Sequence, residues 1–73
     1  MKLGIYKHFK TGNLYRVIGV AKHSETLEDF VVYEALYENK VSKLWIRALK
    51  MFEQEVEWEG ERVLRYTFVS DKI

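Results

Sequence analysis

The four consecutive residues His23-Ser24-Glu25-Thr26 set a titratable ring, a hydroxyl and a carboxylate side by side, the densest chemistry in the chain. A catalytic relay needs a base oriented by a third group in space, and no glycine-flanked nucleophile elbow surrounds Ser24. The simpler reading is a shaped connection: Thr26 caps a turn through Leu27-Glu28-Asp29, with Asp29 three residues on as a weakened capping box. His8 and His23 are the two histidines. A metal site would need both to converge with Glu25 or Glu34, and the spacing gives that no support. The glycines, Gly4, Gly12, Gly19 and Gly60, are scattered rather than gathered into a phosphate loop. With no cysteine, disulfides, thiolate zinc sites, iron-sulfur clusters and cysteine nucleophiles are excluded. No catalytic residue, metal or cofactor is therefore assigned.

The aromatic residues are more informative. Two Trp, five Tyr and four Phe fall among polar partners: Tyr6 near His8, Tyr15 next to Arg16, Tyr33 beside Glu34, and Trp45 two residues before Arg47. In a thin β core most such rings are filling. The alternative is a groove in which Tyr33, Trp45 and Tyr15 form a stacking wall, while Arg47, Arg16 and His23 supply donors to a phosphate or carboxylate. Arg47 lies in a stretch, 39–52, that contains no acid. An arginine next to an exposed ring and without an acid is a receptor for anions and rings. Against this stands a plain ion pair with Glu25, Glu28 or Glu34. The candidate ligand-binding set is His23, Ser24, Glu25, Thr26, Tyr33, Trp45 and Arg47, placed where the 23–26 loop meets the strand of Trp45 and Arg47.

Strands must position these groups. The segments 4–9, 14–21, 30–37, 43–47, 53–58 and 63–69 are short, rich in β-branched and aromatic residues, and separated by turn-like breaks. Around Glu53-Gln54-Glu55-Val56-Glu57-Trp58-Glu59 acids occupy every odd position, a period of two that gives one wet and one packed face. Glu59-Gly60 then predicts a hairpin turn, and Thr11-Gly12-Asn13 breaks the first pair of strands. Segments 14–21 and 30–37 are apolar on both faces and read as central strands. Gly19 inside the first marks a bulge or bend. Ala48 to Phe52 is helix-forming but supports only one turn. The expected fold is a mainly β single domain over 1–73. It is a small curled sheet, a β-barrel or SH3-like half-barrel, of five to six strands with one short helical turn.

Length and charge agree. Seventy-three residues give one domain, with roughly 4,800 Å² of surface when folded, too little for a deep enclosed site. The chain has no secretory h-region and no apolar run of transmembrane length, and its lack of cysteine suits a reducing cytoplasm. Twelve basic and eleven acidic residues leave a net charge of +1, too balanced for nucleic-acid binding driven mainly by counterion release. The signs are segregated. Residues 1–24 carry five bases and no acid, 25–38 five acids and no base, 39–52 four bases and no acid, and 53–61 five acids and no base. If consecutive strands pair, opposite charges face each other across the ladder.

From Tyr15-Arg16-Val17-Ile18-Gly19-Val20-Ala21 through His23-Ser24-Glu25-Thr26 to Val31-Val32-Tyr33-Glu34-Ala35-Leu36-Tyr37, the chain resembles a family of small bacterial proteins, the domain of unknown function 1653. The likeness opens at Tyr6-Lys7-His8-Phe9-Lys10 and continues through Trp45, Arg47, Leu49, Met51 and Phe52, so it covers nearly the whole chain. It departs in carrying Ala48 where proline is expected, and in the lysine-containing loop from Glu38 to Lys43. The resemblance implies a compact, largely β, bacterial domain and transfers no catalytic residue.

The expected function is a non-catalytic binding module for an anionic or aromatic ligand: a nucleotide, a single-stranded nucleic acid or a peptide. The alternatives are a small hydrolase using His23 and Glu25 as acid and base, and a dimeric structural module built on the acidic hairpin. No membrane partner is expected, and the chain is read as a monomer or weak homodimer.

Overall fold

The computed structural model describes residues 1–72. Its elements are β1 (Gly4–His8), β2 (Leu14–Lys22), β3 (Asp29–Ala35), β4 (Leu44–Ala48), α1 (Leu49–Phe52), β5 (Glu55–Trp58), β6 (Glu61–Leu64) and β7 (Tyr66–Ser70). β4, β3, β2, β1 and β7 form one antiparallel sheet in that order, and β5 and β6 form a separate hairpin. The protein is mainly β with one short helical turn, as expected, but has seven strands rather than five or six. The extra strand arises where the segment 63–69 breaks at Arg65. Its N–H donates to the Gln54 carbonyl at 2.9 Å and its own carbonyl accepts from the Phe9 N–H at 3.0 Å, which carries the chain out of the hairpin and into the main sheet. Among the described residues no helix is long and apolar enough to cross a membrane.

The sheet is strongly curled. β4 and β7 are its opposite edges, about 19 Å apart if five strands lay flat, yet the Arg47 guanidinium carbon lies 6.0 Å from the centre of the Tyr66 ring. Two register shifts bend it, one between Ile5 and Tyr6 and one between Val17 and Gly19, the second at the glycine whose position predicts it. The edges do not pair, so the sheet stays open rather than closing into a barrel. Its surface of 5439 Å² exceeds the roughly 4,800 Å² of a compact chain of this mass for the same reason.

Tyr6, Val17, Val31, Tyr33, Phe52 and Tyr66 form the core on the concave face, with Tyr15, Trp45, Leu49 and Phe68 packed against it. α1 is too short to be stable alone. It is held because Phe52, 1% exposed, stacks on Tyr66 with centroids 4.1 Å apart and planes 1° from parallel. β2 and β3 are central, but their second apolar face is not covered. Among the described residues Ile18 and, on β4, Ile46 remain 48% and 64% exposed, because no layer packs on the convex side.

The charge blocks do face one another. Lys22 meets Asp29 at 2.8 Å, Arg16 and Lys43 meet Glu34 at 3.6 and 3.5 Å, and Arg62 meets Glu55 at 3.4 Å. Each pair joins two blocks of opposite sign. β1 is the exception, since its neighbour β2 is also basic and its other neighbour, β7, carries no charge.

Two positions yield stability tests. Glu59 and Gly60 both have positive φ, 52° and 81°, the signature of a type I′ turn. Glu59→Asn is therefore expected to hold or slightly raise stability, and Gly60→Val to cost about 1 kcal/mol or more. Equal urea midpoints for Gly60→Val and wild type would contradict the turn. Ala48, where family resemblance leads to proline, has φ −53° and ψ 135°, which a proline ring accepts. The Ala35 N–H bonds the Lys43 carbonyl, so in the β3–β4 register the bonded pairs alternate through Tyr33/Trp45 and Val31/Arg47. That leaves the Ala48 N–H facing away from the sheet. Ala48→Pro is expected to stabilise by about 0.4–1 kcal/mol, read as a higher urea midpoint at unchanged slope; a lowered midpoint would refute the assigned hydrogen-bond alternation.

Candidate functional site

Directly opposed residues of an antiparallel ladder share a face. The pairs Val31/Arg47, Tyr33/Trp45, Val17/Tyr33, Tyr6/Tyr15 and His8/Tyr66 thus collect Tyr33, Trp45, Arg47, Tyr15, His8 and Tyr66 on the concave side. There they line a basin of about 240 Å³, completed by Thr11, Tyr37 and Asn39. Tyr66 is the hub: the rings of His8, Tyr15 and Tyr33 meet it edge-on at 5.1, 5.7 and 6.0 Å. At the rim the Tyr15 and Tyr37 hydroxyls lie 2.9 Å apart, and the Asn39 amide donates to the Tyr37 hydroxyl at 3.1 Å. The Trp45 indole N–H donates to the Ser42 carbonyl at 3.0 Å, which fixes the ring against the β3–β4 connection.

These contacts set the electrostatics. Burial, and then hydrogen bonding to Tyr33, pushes the Tyr66 phenol well above the usual tyrosine range. Burial and the bond to Tyr37 push Tyr15 up to about 12. Both are neutral phenols at pH 7. The Arg47 guanidinium is favoured in its charged form chiefly by the facing Tyr33 side chain, which outweighs its own desolvation. His8 is pushed down by burial first and then by Arg65, Arg47 and Lys10, and is neutral at pH 7. Arg47 is thus the one fixed charge lining the basin. Its Nε is buried without a hydrogen-bond partner, and among the described residues no carboxylate pairs with it. Glu34, one of the acids expected as its partner, is taken by Arg16 and Lys43. A larger and shallower depression of about 670 Å³ lies around those three residues, where the arginine and lysine are already paired with the glutamate.

Of the candidate ligand-binding set, Tyr33, Trp45 and Arg47 come together. His23, Ser24, Glu25 and Thr26 do not join them. They form the exposed β2–β3 turn, in which His23 Nδ1 accepts from the Glu25 and Thr26 N–H groups at 3.2 and 3.3 Å and Thr26 Oγ1 accepts from the Glu28 N–H at 3.2 Å. This is the shaped connection read from Thr26. The His23 ring packs beside Phe30 at 6.0 Å. Phe30 pairs with Ala48, one residue off Val31 and Arg47 and so on the opposite face. Arg16 likewise pairs with Glu34 on the convex side. His8, Tyr37, Asn39 and Tyr66 line the basin but lie outside the set read from sequence. The usable signal was parity, since Tyr6-x-His8 and Tyr66-x-Phe68 each alternate in period two like Tyr33 and Trp45-x-Arg47.

A comparison with curated proteins gives no match. Among solved structures, the chain is similar to a crystal structure of a protein of a family of unknown function from Bordetella bronchiseptica. The two share 29% identity over 100% of this chain and 92% of that one, with a TM-score of 0.91. The family model described as "protein of unknown function (DUF1653)" matches residues 4–68. With nearly the whole chain matched, including every residue of the basin, the protein belongs to the DUF1653 family.

Proposed function

We propose that this protein is a non-catalytic binding module whose concave basin receives an anionic ligand bearing a ring: a nucleotide, a single-stranded nucleic acid or a peptide. One observation carries the reading, a half-buried arginine without an acid at the centre of a ring of tyrosines and a tryptophan. The tyrosines favour the charged guanidinium without cancelling its charge, and an anion can pair with Arg47 while its ring packs on Trp45 and Tyr33. The cysteine-free composition fits a reducing compartment such as the bacterial cytoplasm, which this reading adopts.

The test compares Arg47→Met with Arg65→Ala, two variants that lose the same charge. Methionine keeps an aliphatic stem against Tyr66, while Arg65 does not line the basin. In nuclear magnetic resonance titrations with nucleotides, short oligonucleotides and acidic peptides, wild type and Arg65→Ala are expected to show saturable shifts of the Trp45 indole signal, and Arg47→Met none. Shifts retained in Arg47→Met, or absent from wild type, would sink the proposal.

A further inference from the structure

His8 fixes what kind of anion the basin takes, an inference that rests on the basin being a binding site. The backbone N–H of Lys10 donates to His8 Nδ1 at 3.2 Å. A nitrogen that accepts a hydrogen bond carries no proton, so neutral His8 holds its proton on Nε2. The ring is kept in place by Tyr66 edge-on at 5.1 Å and by Phe9 at 4.9 Å. Becoming cationic would put a proton on Nδ1 and break the Lys10 bond. Burial opposes it, and so do the neighbouring charges: Arg65 just before β7, Arg47 on β4 and Lys10 after β1 all disfavour a second charge on the ring. Tyr66 and Tyr15 beside it are neutral phenols. The basin therefore offers one charged fork, Arg47, and beside it a neutral imidazole donor, the His8 Nε2–H, among the hydroxyls and the Asn39 amide of its wall.

One positive charge balances one negative charge. A phosphate monoester carries about −1.5 to −2 at pH 7, and it would leave charge uncompensated among neutral phenols. Size narrows the choice further. About 240 Å³ is below the roughly 300 Å³ at which pockets for drug-sized ligands begin, so the basin does not enclose a base, sugar and phosphate together, whereas it holds one residue-sized acid. A planar carboxylate also matches the guanidinium fork through two parallel bonds.

We infer that the basin is a receptor for a single carboxylate on a residue-sized aromatic or aliphatic group, gripped by Arg47 and the Nε2–H of His8. Two sources present that chemistry, a free small acid and the C-terminal residue of a polypeptide.

The experiment titrates the intact protein, followed by nitrogen-15 and indole signals, with N-acetylphenylalanine, its amide, a tetrapeptide ending in phenylalanine with free or amidated C-terminus, inorganic phosphate, and adenosine monophosphate. The free acid is expected to bind at least about tenfold more tightly than its amide, the size of one lost charge-assisted hydrogen bond. If the free tetrapeptide also binds, the source is a chain end; if only N-acetylphenylalanine binds, it is a small acid; both support the inference. His8→Gln, which keeps a donor near the Nε2 position, should stay within about threefold of wild type. His8→Phe, which keeps the packing on Tyr66, should lose about tenfold. Because His8 is held below the ordinary histidine range, acid binding should be flat from about pH 7.5 to 8.5. The inference falls if amides bind as well as acids, if adenosine monophosphate binds and the carboxylates do not, or if the nitrogen shifts put the His8 proton on Nδ1. Binding of the nucleotide alone would leave the basin standing as a site, whereas binding by none of the probes would remove both readings.

Discussion

The parallel stack of Phe52 on Tyr66 is the contact on which the rest of the molecule depends. It joins the helical turn that follows one edge strand to the first residue of the opposite edge strand. The edges of the sheet do not pair, so the curl is held by side chains instead. Tyr33, Tyr6 and Arg47 gather on the same two rings. Such edge-on ring contacts are each worth about 0.5–1.5 kcal/mol beyond the area they bury. In a domain whose whole stability is of order 5 kcal/mol, a handful of them decides whether the edges meet.

That arrangement explains why Arg47 is both a candidate ligand and a structural part. Its stem spans the gap between the sheet edges, and its head is stabilised in the charged form by tyrosine oxygens rather than by a carboxylate. A neutral partner satisfies hydrogen-bonding directions without cancelling charge. An acid at this place would close the gap as a buried ion pair and leave nothing for an external anion. The segregated charge blocks work to the same end, because the nearby acid Glu34 sits on the convex face and is held there by Arg16 and Lys43.

The strands, the hairpin turn at Glu59-Gly60, the bulge at Gly19 and the pairing of charge blocks were legible because each is a local or nearest-neighbour property. The break at Arg65 was not, since the chain turns there to satisfy Gln54 and Phe9, residues 11 and 56 positions away. The site was half legible for a related reason. Tyr33, Trp45 and Arg47 share a face by ladder register between adjacent strands, which consecutive pairing implies. His8 and Tyr66 reach them only through the curl, which no spacing encodes. The His23 loop, chemically the richest segment of the sequence, uses its ring nitrogen and hydroxyl to bind its own backbone. Density of functional groups along the chain was therefore a poorer guide than parity.

Curling also decides which face is free to act. Bending a single sheet until its edges approach concentrates aromatic side chains on the inner side, where they crowd into a core with one basin left open. On the outer side the same bend spreads residues apart, so Ile18 and Ile46 stay exposed although their strands are apolar on both faces. An apolar convex surface attracts partners through area alone and discriminates little. The concave side offers less area but holds its donors at fixed positions, with Trp45 tied to Ser42, Tyr15 to Tyr37 and His8 to Lys10. Groups locked before a ligand arrives lose little freedom when it binds, and that preorganisation is why selective recognition in so thin a fold belongs to the inside of the curl.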